Sequence, residues 1–295
     1  MVVVKYYLFV FLGACSYGLL STITKLAYGA GYTVNEVTAS QMFFGWVFTF
    51  VLMLMFSRHK VGTKHIFPLL FVGVFSCLTG VLYYSSLQTV PASIAIVLLF
   101  QFTWIGVILE AVVTRTFPSK EKLISIAILL VGTVLAGGVL EGATFEWTLA
   151  GFLLGLGSAL TFALFIFFSG RVATELPALS RSFVVVTGAM LLIFIIFPPA
   201  FFTNGVLFDG LWKYGMFLGF FGMVIPTIFF SIGVPKIGGG MATILGAAEL
   251  PVAVLMSMAL LREQVSVWQW GGIILILIGI AVPQIRLMRT EKRRG

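Results

Sequence analysis

Residues 238–261 read GGGMATILGAAELPVAVLMSMALL. One charge, Glu249, stands near the middle of an otherwise apolar run. About 20 such residues are enough for a helix to cross a bilayer. A carboxyl in the centre of such a helix is costly, so it faces a partner or a cavity. Pro251 follows two positions later and removes a backbone hydrogen bond, which bends a helix. Ala242, Gly246 and Ala253 share the face of Glu249 and leave room beside it.

Nine more apolar stretches precede or follow, near 5–27, 36–57, 66–87, 91–113, 121–141, 147–170, 181–202, 211–233 and 267–288. Of the 295 residues 60% are hydrophobic and 9% are charged, and the mean hydropathy is +1.12. A soluble domain carries about 25% charged residues, so a soluble globule, a disordered chain and a disulfide scaffold are excluded. Backbone groups cannot stay unpaired in lipid, so each stretch is expected to be a helix. The alternation of a membrane barrel is absent.

The net charge is +8. With the N-terminus inside, the inner segments hold Lys5, Arg58, Lys60, Lys64, Arg115, Lys120, Lys122, Arg171, Arg181, Lys236 and the tail from Arg286 to Arg294. The outer segments hold Lys213 and Arg262. Basic residues gather in cytoplasmic loops, so the charge reports topology and not a nucleic-acid partner. The expectation is a multi-pass inner-membrane protein with both termini cytoplasmic. Leu12-Gly13-Ala14-Cys15 has the look of a lipoprotein cleavage box, but cutting there would discard half a helix. Cys15 and Cys77 read as small buried side chains.

The halves superimpose at an offset of roughly 145 residues. Ser16-Tyr17-Gly18 falls opposite Thr161-Phe162-Ala163, Gly73 opposite Gly219, and Gly132 opposite Gly279. Ile94 to Gln101 falls opposite Ala242 to Glu249. Five helices per half is an odd number, so the second half enters the membrane inverted. Inverted repeats place a substrate site at the midplane between them. The division predicted is 1–143 for the first repeat, 144–288 for the second and 289–295 for a basic tail: an all-α membrane protein of ten transmembrane helices in two inverted five-helix repeats.

The Ser16-Tyr17-Gly18 motif with Lys25 eight positions after Tyr17, and the run from Ala248-Glu249-Leu250-Pro251 to Leu261-Arg262-Glu263 and Trp268-Gln269-Trp270-Gly271-Gly272, resemble the EamA family of the drug/metabolite transporter superfamily. The resemblance covers essentially the whole chain. It implies a basket of ten helices with a central cavity, and export of amino acids or other small metabolites. Arg115 stands where the family often has glutamate, and Arg262 precedes Glu263.

Few polar groups are deep enough to carry function. Glu249 is the foremost: a carboxylate that binds a cationic group or carries a proton, or a glutamate that locks packing. Gln101, its partner by repeat, shares a face with Ser93, Val97 and Trp104. It either bonds solute beside an indole wall or glues helices. Tyr17, Ser21 and Thr24 form one stripe, Ser76, Gly80 and Tyr83 a second with Tyr84 adjacent, and Ser158, Thr161, Phe165 and Ser169 a third. Such stripes line a cavity or bond back to their own helices. Substrate contacts are therefore expected at Glu249, Gln101, Trp104, Tyr17, Tyr83, Ser21 and Thr161, proton coupling at Glu249, and gating at Gly239, Pro251 and Pro226. Glu110 is placed to pair with Arg115 or Lys120, and Lys25 to reach the outer interface. Gly151/Gly155 and Gly215/Gly219 are GxxxG packing pairs. Trp147, Trp212, Trp268 and Trp270 suit an interfacial belt.

No metal site, cofactor or catalytic motif is expected, so the chain reads as a transporter of a small organic solute and not an enzyme. Its other partners are membrane lipid, with a monomer or homodimer as the assembly. The rival readings are an organic-cation carrier, and a non-transporting membrane sensor or assembly protein.

Overall fold

The computed structural model describes residues 4–57, 59, 61–90, 92–140 and 148–291. Arg58, Lys60, Trp147 and the end of the tail therefore lie outside the described residues, as do the side chains of Ser93 and Arg286. The described chain is built from ten helical rods: α1 Val4–Gly29, α2 Val34–Phe56, α3 Thr63–Leu87, α4 in two pieces (Ala92–Leu99 and Phe102–Thr114), α5 Lys120–Ala136, α6 Leu149–Ser169, α7 Ala178–Ile196, α8 Leu207–Ile237, α9 Gly239–Leu261 and α10 Val267–Glu291. Among the described residues nine are long and apolar enough to cross a membrane. The tenth, α5, has 17 residues, at the short end of what a crossing needs, and packs along α10.

Polar side chains mark the turns. Thr33 Oγ1 accepts from the Glu36 amide, and the Glu36 carboxylate accepts from the Thr33 amide at 2.9 Å, a capping box that starts α2. Ser119 and Thr148 cap α5 and α6 in the same way.

The two repeats interlock. Helix α3 of the first crosses α7 of the second, and α2 crosses α8. At the first crossing a Cβ on Gly73 would strike the carbonyl of Val185, and one on Gly188 the carbonyl of Leu70. At the second, Gly45 and Gly219 lie backbone to backbone. Gly73 and Gly219 stand at matching places in the two repeats, as their spacing anticipates. Gly151 and Gly155 face Thr89 and Leu98, and Gly215 faces Phe44, so the GxxxG pairs are packing faces.

Helices α4 and α9 break at matching points. In α4 the amides of Gln101 and Thr103 reach back three residues, to Leu98 and Phe100. In α9 the amides of Ala248 and Leu250 do the same, to Leu245 and Ala247. Both helices end on a left-handed arginine, Arg115 (φ 52°) and Arg262 (φ 56°). Between α4 and α9 the structural offset is thus 147 residues, which sets Gln101 opposite Ala248 and Glu249 opposite Phe102. This corrects the expected pairing of Gln101 with Glu249 by one position.

The breaks have different causes. In α9, Pro251 has no N–H to give Ala247, and the Leu250 amide takes that carbonyl instead, at 3.3 Å. In α4 there is no proline. The Gln101 amide turns to Leu98, and the Gln101 side chain donates to the vacated Val97 carbonyl at 2.8 Å.

Candidate functional site: a cavity between the repeats

A cavity of about 400 Å³ lies between the repeats. Tyr17, Ser21, Thr24 and Tyr28 of α1 form one wall, Thr38 and Gln41 of α2 a second, and Ser76, Gly80, Tyr83 and Tyr84 of α3 a third. Glu249, Ala253 and Ser257 of α9 complete it, with Phe100 and Phe162 at its floor. It opens toward Lys25, Glu263 and Gln269, on the face opposite the start of α1.

Glu249 is positioned by the bend of α9 and by a close approach. A Cβ on Gly18 would come within 2.5 Å of the Glu249 carbonyl, so only glycine lets α1 lie against α9 there. The Glu249 carboxyl makes no hydrogen bond or ion pair with another described residue. It lies within electrostatic reach of Tyr17, Tyr83 and Tyr84.

Below the carboxyl the bundle is sealed by rings. Tyr17 stands edge-on to Phe162 at 5.6 Å, and Phe102 edge-on to Phe162 at 4.7 Å. Phe102, Phe165 and Phe230 are fully buried in this layer. Nearer the face where α1 begins, Lys122 Nζ pairs with Glu110 at 2.5 Å. That pair corrects the expected partners Arg115 and Lys120: the turn between α4 and α5 brings Lys122 back over Glu110. The Glu110 carboxylate occupies the space that side chains on Gly238 and Gly240 would fill, at the turn from α8 into α9. Gly238 has φ 85°, which L residues rarely adopt. We expect Glu110→Gln to loosen this turn and raise amide hydrogen exchange in 236–244 by roughly tenfold, the size of effect for losing one partner of a partly buried pair.

At the mouth Lys25 Nζ meets Glu263 at 3.0 Å, with both side chains half-exposed, and Ser257 donates to the same carboxylate. The Ser257 hydroxyl first, and Lys25 after it, hold the Glu263 carboxyl below the usual glutamate range, against a partial burial that pushes the other way. A depressed pKa gives stability that is complete above the ordinary glutamate value and is lost as pH falls through the folded one. The wild type should therefore exceed Glu263→Gln in stability at neutral pH, by no more than about 1 kcal/mol at so exposed a site. Melting curves in acid should show that gap closing.

Among the expected site residues, Glu249, Tyr17, Tyr83 and Ser21 meet in the cavity. Gln101 and Trp104 do not line it; the Trp104 indole donates to Gln101 Oε1 at 2.7 Å. Thr161 lies one layer back, accepting from Thr79, which does line the cavity. Pro226 is buried in α8 just after a widened π turn, Phe220–Val224, and Gly239 lies against Phe167.

Three features escaped sequence reading. Arg181, counted as a loop residue, is 2% exposed within the bundle. It donates to the Ser231 carbonyl at 2.9 Å and to the Ser169 carbonyl at the end of α6, where the helix dipole favours a cation. Thr38 and Gln41 of α2 reach the cavity from a run with no visible polar stripe. The hydroxyls of Thr22, Tyr28 and Thr38 are buried without a partner among the described residues, and all three residues line the cavity. Leaving a hydroxyl so costs about 1–3 kcal/mol each.

The EamA-like transporter family matches residues 4–138 and 149–282, one match per repeat. No curated protein matches the chain. A solved structure described as "Crystal structure of protein" superimposes with a TM-score of 0.75 at 20% identity, over 94% of this chain and 96% of that one. That likeness shows a shared fold. With two family matches covering nearly the whole length, the chain belongs to the EamA-like transporter family of multi-pass membrane transporters in the drug/metabolite transporter superfamily.

Proposed function

We propose that the chain is a secondary active transporter that exports small organic metabolites such as amino acids by alternating access around this cavity. One observation carries the reading: a carboxyl with no hydrogen-bond or ion-pair partner among the described residues, facing a ring-walled cavity of about 400 Å³. That volume lies in the range of small-molecule sites. Glu249 accepts from the ammonium of the solute, while Tyr17, Tyr83 and Phe162 enclose its apolar part. Between solutes the same carboxyl carries a proton, which links export to the proton gradient. The charge tally supports an open face on the outer side of an inner membrane, with both termini cytoplasmic. The segments 1–143 and 144–288 are the bodies that rock, about hinges at Gly239, Pro226 and Pro251.

The rings around the carboxyl also favour a second reading, an organic-cation carrier, because ring faces attract cations. Thermal unfolding of the purified protein separates the two. Amino acids, choline-like amines and sugars would be tested at about pH 5.5 and 7.5, since a ligand that binds the folded state raises the melting point. Stabilisation by amino acids but not by choline supports the first reading, and the reverse supports the second. No shift from any solute overturns both substrate readings and leaves transport resting on family membership alone.

A further inference from the structure

Ser and Thr within these helices as a rule donate back to their own backbone. Thr49, Thr133, Ser158 and Thr227 do so, to carbonyls three or four residues earlier. Thr22, Thr24 and Thr38 do not. Their side chains are 1%, 4% and 2% exposed and all three line the cavity; Thr24 meets the Tyr84 side chain, while the hydroxyls of Thr22 and Thr38 have no partner among the described residues. The Tyr28 hydroxyl is in the same condition, and the Gln41 side chain stands beside them on α2. Three hydroxyls around one cavity, those of Thr22, Tyr28 and Thr38, are thus donors without an acceptor among the described residues.

We infer that Thr22, Tyr28 and Thr38 form a second polar subsite, which takes an oxygen-bearing acceptor group of the solute, a carboxylate or a hydroxyl. The proposal rests on the transport reading above and sharpens it. Hydroxyls donate to such oxygens, whereas Glu249, when ionised, only accepts. The carboxyl and the hydroxyls are thus chemically complementary, and the solute they select is polar at two places. An amine that offers only a cation leaves the hydroxyls as they are.

The test uses Thr→Val, which exchanges the hydroxyl for a methyl of similar size. Thr22→Val, Thr38→Val and the double variant would be unfolded thermally with L-threonine, L-phenylalanine, their decarboxylated amines and choline as probes. The wild type is expected to respond to an amino acid at concentrations at least roughly tenfold lower than to its amine. The double variant is expected to melt at or above the wild-type temperature when empty, since a methyl has no unmet hydrogen bond. It should also lose that tenfold preference, and Thr→Ser at both positions should restore it. An undiminished preference in the valine variants overturns the subsite while leaving the transport reading intact. So does a wild type that binds amine and amino acid alike. A valine variant that melts lower or loses its monodisperse form assigns the hydroxyls to the fold and overturns the proposal too. A wild type that responds to no probe removes both this proposal and the amino-acid reading above.

Discussion

Glu249→Gln removes solute-dependent stabilisation and lowers transport by roughly 10- to 100-fold, while the empty protein keeps its melting temperature or gains. The magnitude is that of a charge-assisted hydrogen bond, about 1.5–3 kcal/mol. The sign on stability follows from the surroundings. The carboxyl has no ion-pair or hydrogen-bond partner among the described residues, so the amide breaks no contact and removes a half-buried ionisable group from the bundle. A structural glutamate would behave in the opposite way, with a lower melting point and an unchanged solute response. Proton coupling adds a second readout. In proteoliposomes, an imposed pH gradient should drive wild-type transport and leave the residual activity of Glu249→Gln unmoved. A gradient response that persists in the variant would place the coupling elsewhere.

The largest loss of stability is expected from the α3–α7 crossing. Gly73→Val or Gly188→Val puts a branched side chain where the backbone of the other helix already lies. Neither carbonyl can move without bending its helix, so the cost is at the top of the overpacking range, about 3 kcal/mol or more. Size-exclusion profiles in detergent should show little monodisperse protein. Gly271→Ala is the matched control. It lies in α10 with nothing near the position of its Cβ, and alanine there should be neutral or slightly stabilising. Equal behaviour of the two substitutions would mean that the crossing has room to spare.

Much of this architecture is legible in the chain itself. An apolar run with one carboxyl announces both a membrane helix and its functional depth, because lipid makes any charge conspicuous. The stripes through Tyr17, Ser21 and Thr24, and through Ser76, Gly80 and Tyr83, reach the cavity because helical spacing alone sets which side chains share a face. What was illegible depends on tertiary geometry. Thr38 and Gln41 sit in a helix whose neighbours, not its sequence, decide which face meets the cavity. Arg181 looks like any basic residue near a helix start until α6 and α8 close over it. Glu110 finds Lys122 because a turn folds back, and Gln101 is consumed by a break that its own sequence does not announce. The one-residue error in repeat register has a similar origin, since few identities connect the halves and the backbone breaks mark the register better than any side chain.

The glycine crossings also bear on how the protein is made. Each joins a helix of the first repeat to a helix of the second: Gly73 to the segment around Gly188, and Gly45 to Gly219. A ribosome adding roughly 5–20 residues per second needs on the order of ten seconds or more between Gly45 and Gly219. Through that interval the first five helices hold grooves shaped for partners that do not yet exist. The nascent half is therefore a natural client for membrane chaperones and proteases, and its survival depends on how soon the second half arrives.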